Sequence, residues 1–326
     1  MNRKLLSNIL GIVVLAGVII MLPIVLKSVY WTSVLIILLI NILMVSSLRI
    51  IKLLGHISLG HVGFSLVGAY GSALLVMRLG LSFWIALLLG GLMSAGLALA
   101  LAYPFLRVKG AYFALLTLLT AETFRLTAWH WPSLTGGFWG LLRIPSPNPI
   151  TIPLIGTITF DSVTSYYYLT AVIVTLSLFV LYLLECSRLG FKWRAIQDTE
   201  ALAQSVGINV MWYKALNFAI ASFFAGIAGA LFAHYQHALS PDFTARFGVL
   251  MSIYLLVYMV VGGDAKFTGP IVGTVVLTIV SELSQELGEY QPMMIGAIAI
   301  FFVLLMPEGL IGLPHRVKLW YIKLLP

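Results

Sequence analysis

Glu122 and Arg125 stand three residues apart inside the apolar run 111–128, AYFALLTLLTAETFRLTA. On a helix this spacing sets a carboxylate and a guanidinium on one face, near enough to pair. Ionisable groups are costly in lipid, so both must face protein or a water-filled path. Two roles fit: an internal ion pair that locks helices together, or a polar lining for the outer half of a solute path. Thr117 and Thr120 share the run, although threonine hydroxyls commonly satisfy their own helix backbone. Thr135, Gly136 and Gly137 follow in LTGGFWG. Paired glycines reach backbone geometries that other residues resist, so this stretch is either a plain turn or a turn offering free amide donors at the mouth of a path.

The remaining reactive side chains point away from enzymatic chemistry. His56 and His61 are five residues apart, which does not place them on one helix face, and no carboxylate is near them in sequence. His234 and His237 are better spaced but sit at the end of an apolar run, where a histidine pair is ordinarily interfacial. Glu282, Glu286 and Glu289 collect at the end of another run, as a solvated helix end or a surface for a basic partner. There is no GxxxxGK[ST] phosphate loop, no Ser/His/Asp arrangement and no zinc-binding helix motif. Cys186 is the lone cysteine, so no internal disulfide can form.

The elements that hold these residues are membrane spans. The 326 residues are 61% hydrophobic and only 9% charged, with a mean hydropathy of +1.05. A bilayer core needs about 20 apolar residues per helix. Ten runs qualify: 9–26, 30–48, 58–77, 83–104, 111–128, 166–184, 215–236, 247–263, 269–287 and 292–306. The expected fold is therefore all-α and polytopic, with about ten transmembrane helices in one transmembrane domain, 1–326. The first run follows Arg3 and Lys4 but exceeds a signal h-region and lacks a small-residue cleavage site, which reads as an uncleaved span. Glycines 60, 63, 68 and 71 interrupt the third run and the fifth is short, so either is a candidate for a broken or re-entrant segment.

Charge sets the orientation. With both termini inside, fourteen of the 19 basic residues fall on inner segments: Arg3, Lys4, Arg49, Lys52, Arg107, Lys109, Arg188, Lys192, Arg194, Lys214, Lys266, Arg316, Lys318 and Lys323. That is the positive-inside bias, and the tryptophans fall at span ends as an aromatic belt. The net charge of +8 is thus a topology signal and no pointer to nucleic acid.

One polar interruption is long. Residues 185–214, ECSRLGFKWRAIQDTEALAQSVGINVMWYK, join spans six and seven on the cytoplasmic side. Within them Thr199 is placed to cap a short helix, with Glu200 in its first turn where the dipole favours a carboxylate. Leu202 and Val206 share a face, Ala201 and Ala203 keep that surface low, and Gly207 suits a left-handed stop. Phe191 and Trp193, among Arg188, Lys192 and Arg194, suit lipid headgroups. The segment is either a docking helix for a soluble partner or an amphipathic connector on the membrane surface.

These residues resemble a family. The loop is similar to the coupling loop of permease subunits in bacterial ATP-binding cassette importers, in particular the LivM-type branched-chain amino acid permeases. GHISLGHVGFSLVGAYGSALL, LRVKGAYFALLTLLTAETFRL and LTGGFWGLLRIPSP carry the resemblance. It continues through RAIQDTEALAQSVGINVMWYK, ASFFAGIAGALFAHY, VVGGDAKFTGPIVG and MPEGLIGL, in order over residues 50 to 315. Asp264 and Lys266, and Phe138-Trp139, depart from the commoner pattern and leave the substrate open.

The resemblance implies a type II importer fold with an inverted pseudo-repeat, in the bacterial inner membrane. It implies two cytoplasmic ATPases that use ATP and Mg, a second related permease in a heterodimer, and a periplasmic substrate-binding protein. This chain itself would bind no cofactor and no metal. Arg194, Asp198, Glu200, Ala201, Leu202, Ala203 and Gly207 would couple it to the ATPases. Thr117, Glu122, Arg125, Thr135, Gly136 and Gly137 would border the path, the ion pair meeting the zwitterionic head of an amino acid. An ion-gradient-driven transporter or channel, or a urea- or amide-type permease, are the alternatives; the first would leave the docking loop idle.

Overall fold

The computed structural model describes residues 21, 23, 28–152, 156–242, 246–305 and 309–312. The span expected at 9–26 falls outside the described residues, save Met21 and Pro23. Each of the other nine is a helix. In chain order the helices are α1 (Val29–Lys52), α2 (His61–Leu79), α3 (Phe83–Phe105), α4 (Ala111–Trp129), the single turn α5 (Pro132–Thr135) and α6 (Val163–Cys186). Two short helices follow, α7 (Arg188–Asp198) and α8 (Glu200–Ser205), then α9 (Val210–Gln236), α10 (Val249–Gly262), α11 (Thr268–Leu283) and α12 (Gln291–Leu305). The glycine-rich third run is an unbroken helix, and so is the fifth. The protein is an all-α, multi-pass membrane protein.

Length sorts the helices. α1, α2, α3, α6 and α9 are long and apolar enough to cross a membrane. α4 matches α2 in length but carries Glu122 and Arg125. α10, α11 and α12 have 14, 16 and 15 residues, or roughly 21–24 Å at 1.5 Å per residue, short of a bilayer core of about 30 Å. The ninth expected span stops at Leu283, and a 3-10 segment with Gly288 at positive φ carries the chain into α12.

α1 is mostly apolar on every side, as suits a helix enclosed by others. Every residue from Leu38 to Ile51 is buried, against α6, α9, α10 and α11. α9 lies across α1, α2 and α3, and small residues let it come close. A Cβ on Gly68 would sit 2.3 Å from the Gly226 Cα, and one on Gly229 would sit 1.9 Å from the Ser65 carbonyl oxygen. The small-residue strip of α9, Gly226 and Gly229 with Ala219, Ala225 and Ala233, thus packs inside the chain, where close approach maximises dispersion. α10 and α11 touch in the same way: a Cβ on Gly273 would lie 2.1 Å from the Tyr258 carbonyl oxygen.

Short strands close one end. β1 (Leu141–Leu142) pairs antiparallel with β4 (Ala238–Leu239), and β2 (Ile150–Ile152) with β3 (Gly156–Ile158). The first pairing ties the segment after α4 to the end of α9.

Candidate functional site

The polar segment 185–214 folds back against the ends of the bundle as α7 and α8. Ser187 caps α7 by accepting from the Leu189 N–H at 3.1 Å. Gly190 permits the tight return, since a Cβ there would lie 2.0 Å from the Glu185 carbonyl oxygen. Trp193 is fully buried and its Nε1–H donates to the Tyr213 carbonyl at 3.0 Å. It anchors α7 on α9 and does not reach lipid headgroups; Phe191, by contrast, is exposed. The sequence reading treated these neighbours alike because nothing local says which face of α7 meets α9.

α8 forms where expected, but its start is held differently. Thr199 occupies the N-cap position in extended conformation, yet its hydroxyl donates to the Asp198 carbonyl at 2.7 Å and caps nothing. The first turn is fixed by Glu200, which accepts from Lys214 of α9 at 2.6 Å and pairs with Lys109, just before α4, at 3.0 Å. Burial pushes the Glu200 carboxyl up, but the hydrogen bonds to Lys214 and Lys109 outweigh it and hold it below the ordinary value. Gly207, at φ +83°, ends the helix. Its N–H reaches the Gln204 carbonyl and the Ile208 N–H reaches the Ala203 carbonyl, the paired bonds of a Schellman stop.

The two alanines part company. Ala203 is buried against the bundle, which corrects its expected place on the docking surface: with α8 only six residues long, the face opposite Leu202 must be the packed one. Ala201, Leu202 and Val206 are exposed together, Leu202 at 64% and Val206 at 69%. Asp198 is exposed at the end of α7.

Arg194 leads inward. Its Nη2–H donates to Glu185 at 2.6 Å, and the other oxygen of Glu185 receives Arg49 of α1. Arg49 also donates through Nε to the Asp264 carbonyl at 3.2 Å, in the turn between α10 and α11. α7, α6, α1 and that turn are therefore joined by one chain of charge-assisted bonds. Next to the Glu200 cluster, His56 stacks on Phe113 at 4.7 Å. Burial first, with Lys214 adding to it, pushes its imidazole down to about 4, so it is neutral at pH 7. Sequence reasoning counted Arg49, Lys109 and Lys214 only as topology charges. The signal it passed over was Glu185, a lone acid ending an apolar run beside a basic flank.

The other group of candidates lies at the far end of α4. Arg125 bonds Glu122 through Nε at 2.9 and 3.0 Å and donates through Nη1 to the Pro241 carbonyl at 2.8 Å. The pair thus ties α4 to the segment after β4. Thr117 donates to the Ala114 carbonyl and accepts from the Leu59 N–H at 3.1 Å. It clips the α1–α2 connector to α4 and lies away from Glu122 toward the Lys109 end of the helix. Thr135 donates to the Ala128 and Trp131 carbonyls. Of the two readings of this stretch, the structure has the plain turn, with the amides occupied: Gly136 N–H bonds the Pro132 carbonyl and Gly137 N–H bonds Thr135 Oγ1. Gly136 sits at φ +78°, where a Cβ would meet the Gly140 carbonyl oxygen at 1.9 Å. This is a structural turn.

The histidines are structural too. His61 shares a hydrogen bond with Ser47 at 2.7 Å. His234 bonds Ser72 at 3.0 Å and the Pro145 carbonyl at 2.9 Å, and His237 meets the Ile144 carbonyl. Glu282 accepts from Tyr30 and Glu286 is exposed; the side chain of Glu289 is outside the description.

Residues 30–305 match the family model described as branched-chain amino acid transport system / permease component. The chain belongs to this family. This family member is 33% identical over 266 residues to the high-affinity branched-chain amino acid transport system permease protein LivM of Salmonella typhimurium. It is 32% identical over the same length to LivM of Escherichia coli K12. Each alignment covers 76% of this chain and 62% of the relative, so the chain spans somewhat under two thirds of the LivM proteins it matches. Escherichia coli LivH, another permease protein of that system, is 29% identical over 145 residues, 44% of either chain. No solved structure matches.

Proposed function

We propose that this chain is the membrane permease subunit of an ATP-driven importer for branched-chain amino acids in the bacterial inner membrane. α7 and α8 face the cytoplasm and receive the ATPase. The observation that carries the reading is the build of α8. A low face of Ala201, Leu202 and Val206 stands exposed, while Glu200 on the other side grips the starts of both α4 and α9. A connector merely lying on lipid has no need of that grip. A helix that must be pushed does.

The mechanism follows from the connections. ATP and Mg are handled by the ATPase subunits; displacement of α8 is passed through Glu200 to Lys109 and Lys214, and so to two helices that run the depth of the bundle. Displacement of α7 passes through Arg194 and Glu185 to Arg49 and the α10–α11 turn. Two ATPases, a related second permease and a periplasmic binding protein complete the assembly. The substrate class rests on the relatives' names, and the match to both LivM and LivH supports a paired permease.

Mild-detergent purification of the tagged chain followed by mass spectrometry tests this reading. Recovery of two ATPases and a second permease, lost when residues 200–207 are scrambled, is the expected outcome. A chain that purifies alone and still drives gradient-dependent uptake in vesicles overturns it.

A further inference from the structure

At the end of the bundle away from α8 lies a cavity of about 480 Å³, within the usual range for small-molecule sites. Ile37, Phe232, Leu239 and Phe247 form apolar walls, and Gln236, Ser240 and Arg246 add polar groups. Among the described lining residues none is acidic. Arg246 is held from behind. Its Nη2 donates to Asn41, a buried amide on α1, and its guanidinium lies 4.7 Å from the Phe232 ring centre. That leaves Nε and Nη1 without a hydrogen-bond partner among the described residues. Nη2 carries a second hydrogen besides the one given to Asn41, and together with Nη1–H or Nε–H it forms the fork that suits a carboxylate.

We propose that this cavity binds small aliphatic carboxylates, the carboxylate on Arg246 and the hydrocarbon tail against Ile37, Phe232 and Phe247. Recognition is of the acid and the tail. With no acidic lining, an α-ammonium group is tolerated toward Gln236 and Ser240 but not selected. The proposal rests on the permease reading only for placing the cavity on a solute route; the carboxylate chemistry stands on the cavity itself. Nothing local in the sequence marks Arg246, because its partner Asn41 is 205 positions away.

Saturation-transfer NMR on the full-length chain, purified in mild detergent with whatever subunits accompany it, tests this. The probes are leucine, 4-methylpentanoate, which lacks the ammonium, and leucinamide, which lacks the carboxylate. Leucine and 4-methylpentanoate are expected to bind alike, and leucinamide about tenfold or more weakly, the scale for losing a charge-assisted hydrogen bond. Arg246→Gln should weaken the two acids by a similar factor and Arg246→Lys by less. Ser240→Trp, which fills the cavity from its exposed rim and spares the Arg246–Asn41 pair, should abolish binding in a protein that still folds. Equal binding of leucinamide overturns the carboxylate assignment, and wild-type binding by Ser240→Trp overturns the site. Neither result depends on ATP, so a failure of ATP-driven uptake would sink the permease reading separately.

Discussion

Replacing Glu185 by glutamine should do far more damage than its single charge suggests. Glu185 is 6% exposed and Arg49 2%, whereas Arg194, its other partner, is 47% exposed. The substitution keeps size and one neutral acceptor but removes the carboxylate charge from the Arg49 guanidinium, whose other neighbours are the Asp264 carbonyl at 3.2 Å and the Phe267 ring at 5.9 Å. Breaking a buried pair by removing one partner costs about 3–5 kcal/mol, and the retained amide oxygen places Glu185→Gln near 3 kcal/mol. Arg194→Gln removes a half-solvated pair, for which about 0.5–1 kcal/mol is the scale. The double change Arg49→Met with Glu185→Leu takes both charges out of the interior and should fall within about 1 kcal/mol of wild type, because a well-packed apolar pair matches a buried ionic one. SDS titration in mixed micelles, followed by tryptophan fluorescence with Trp193 buried next to the site, ranks the variants. If Glu185→Gln is no worse than Arg194→Gln, or if the double variant is the least stable, the buried hub is misconceived.

Ala201→Glu should leave folding within about 0.5 kcal/mol, since the residue is exposed, while uncoupling ATP hydrolysis from uptake in reconstituted vesicles; tight coupling in that variant would remove α8 from the transmission path. Gly68→Ala should destabilise by about 1–3 kcal/mol, because the new methyl meets Gly226 backbone at 2.3 Å and the helices must part; thermal unfolding that matches wild type would refute that backbone contact. The Glu200 clamp predicts an acid limit. Its folded pKa is held below the 4.5 of a free glutamate, so its stabilisation is full above about 4.5 and is lost as pH falls through the depressed value. Hydrogen exchange of residues 200–206 should therefore quicken, after correction for intrinsic rates, as pH drops below that point, and Glu200→Gln should flatten the response.

What could be read from the sequence was whatever depends on neighbours along the chain. Long apolar runs yielded the helices, and Gly207 yielded the stop of α8, because a left-handed residue after a short amphipathic turn is a local requirement. The small residues of α9 allow close packing, but only the structure supplies the partners, α2 and α3. What stayed hidden depends on distant pairings. Thr199 has the right type to cap, but Glu200 gains more by reaching two lysines, one 91 positions before it and one 14 after. Ala201 and Ala203 are identical in sequence terms and differ only in which side meets the bundle. Asn41 and Arg246 meet across 205 positions, and nothing beside either of them along the chain signals the pairing.

α10 and α11 are fused through glycine contacts into one body, and that body is clipped to α1 at two places. Asn41 takes Arg246 at the entry to α10, and Arg49 takes the Asp264 carbonyl at the turn into α11. Eight residues separate the two clips along a buried helix, about 12 Å at 1.5 Å per residue. A body pinned at two points keeps one easy motion, rotation about the line through the pins, and here that line runs along α1. Both pins lie on that line, so such a rotation would carry the far sides of α10 and α11 while Arg246 and the Asp264 carbonyl keep their places against α1.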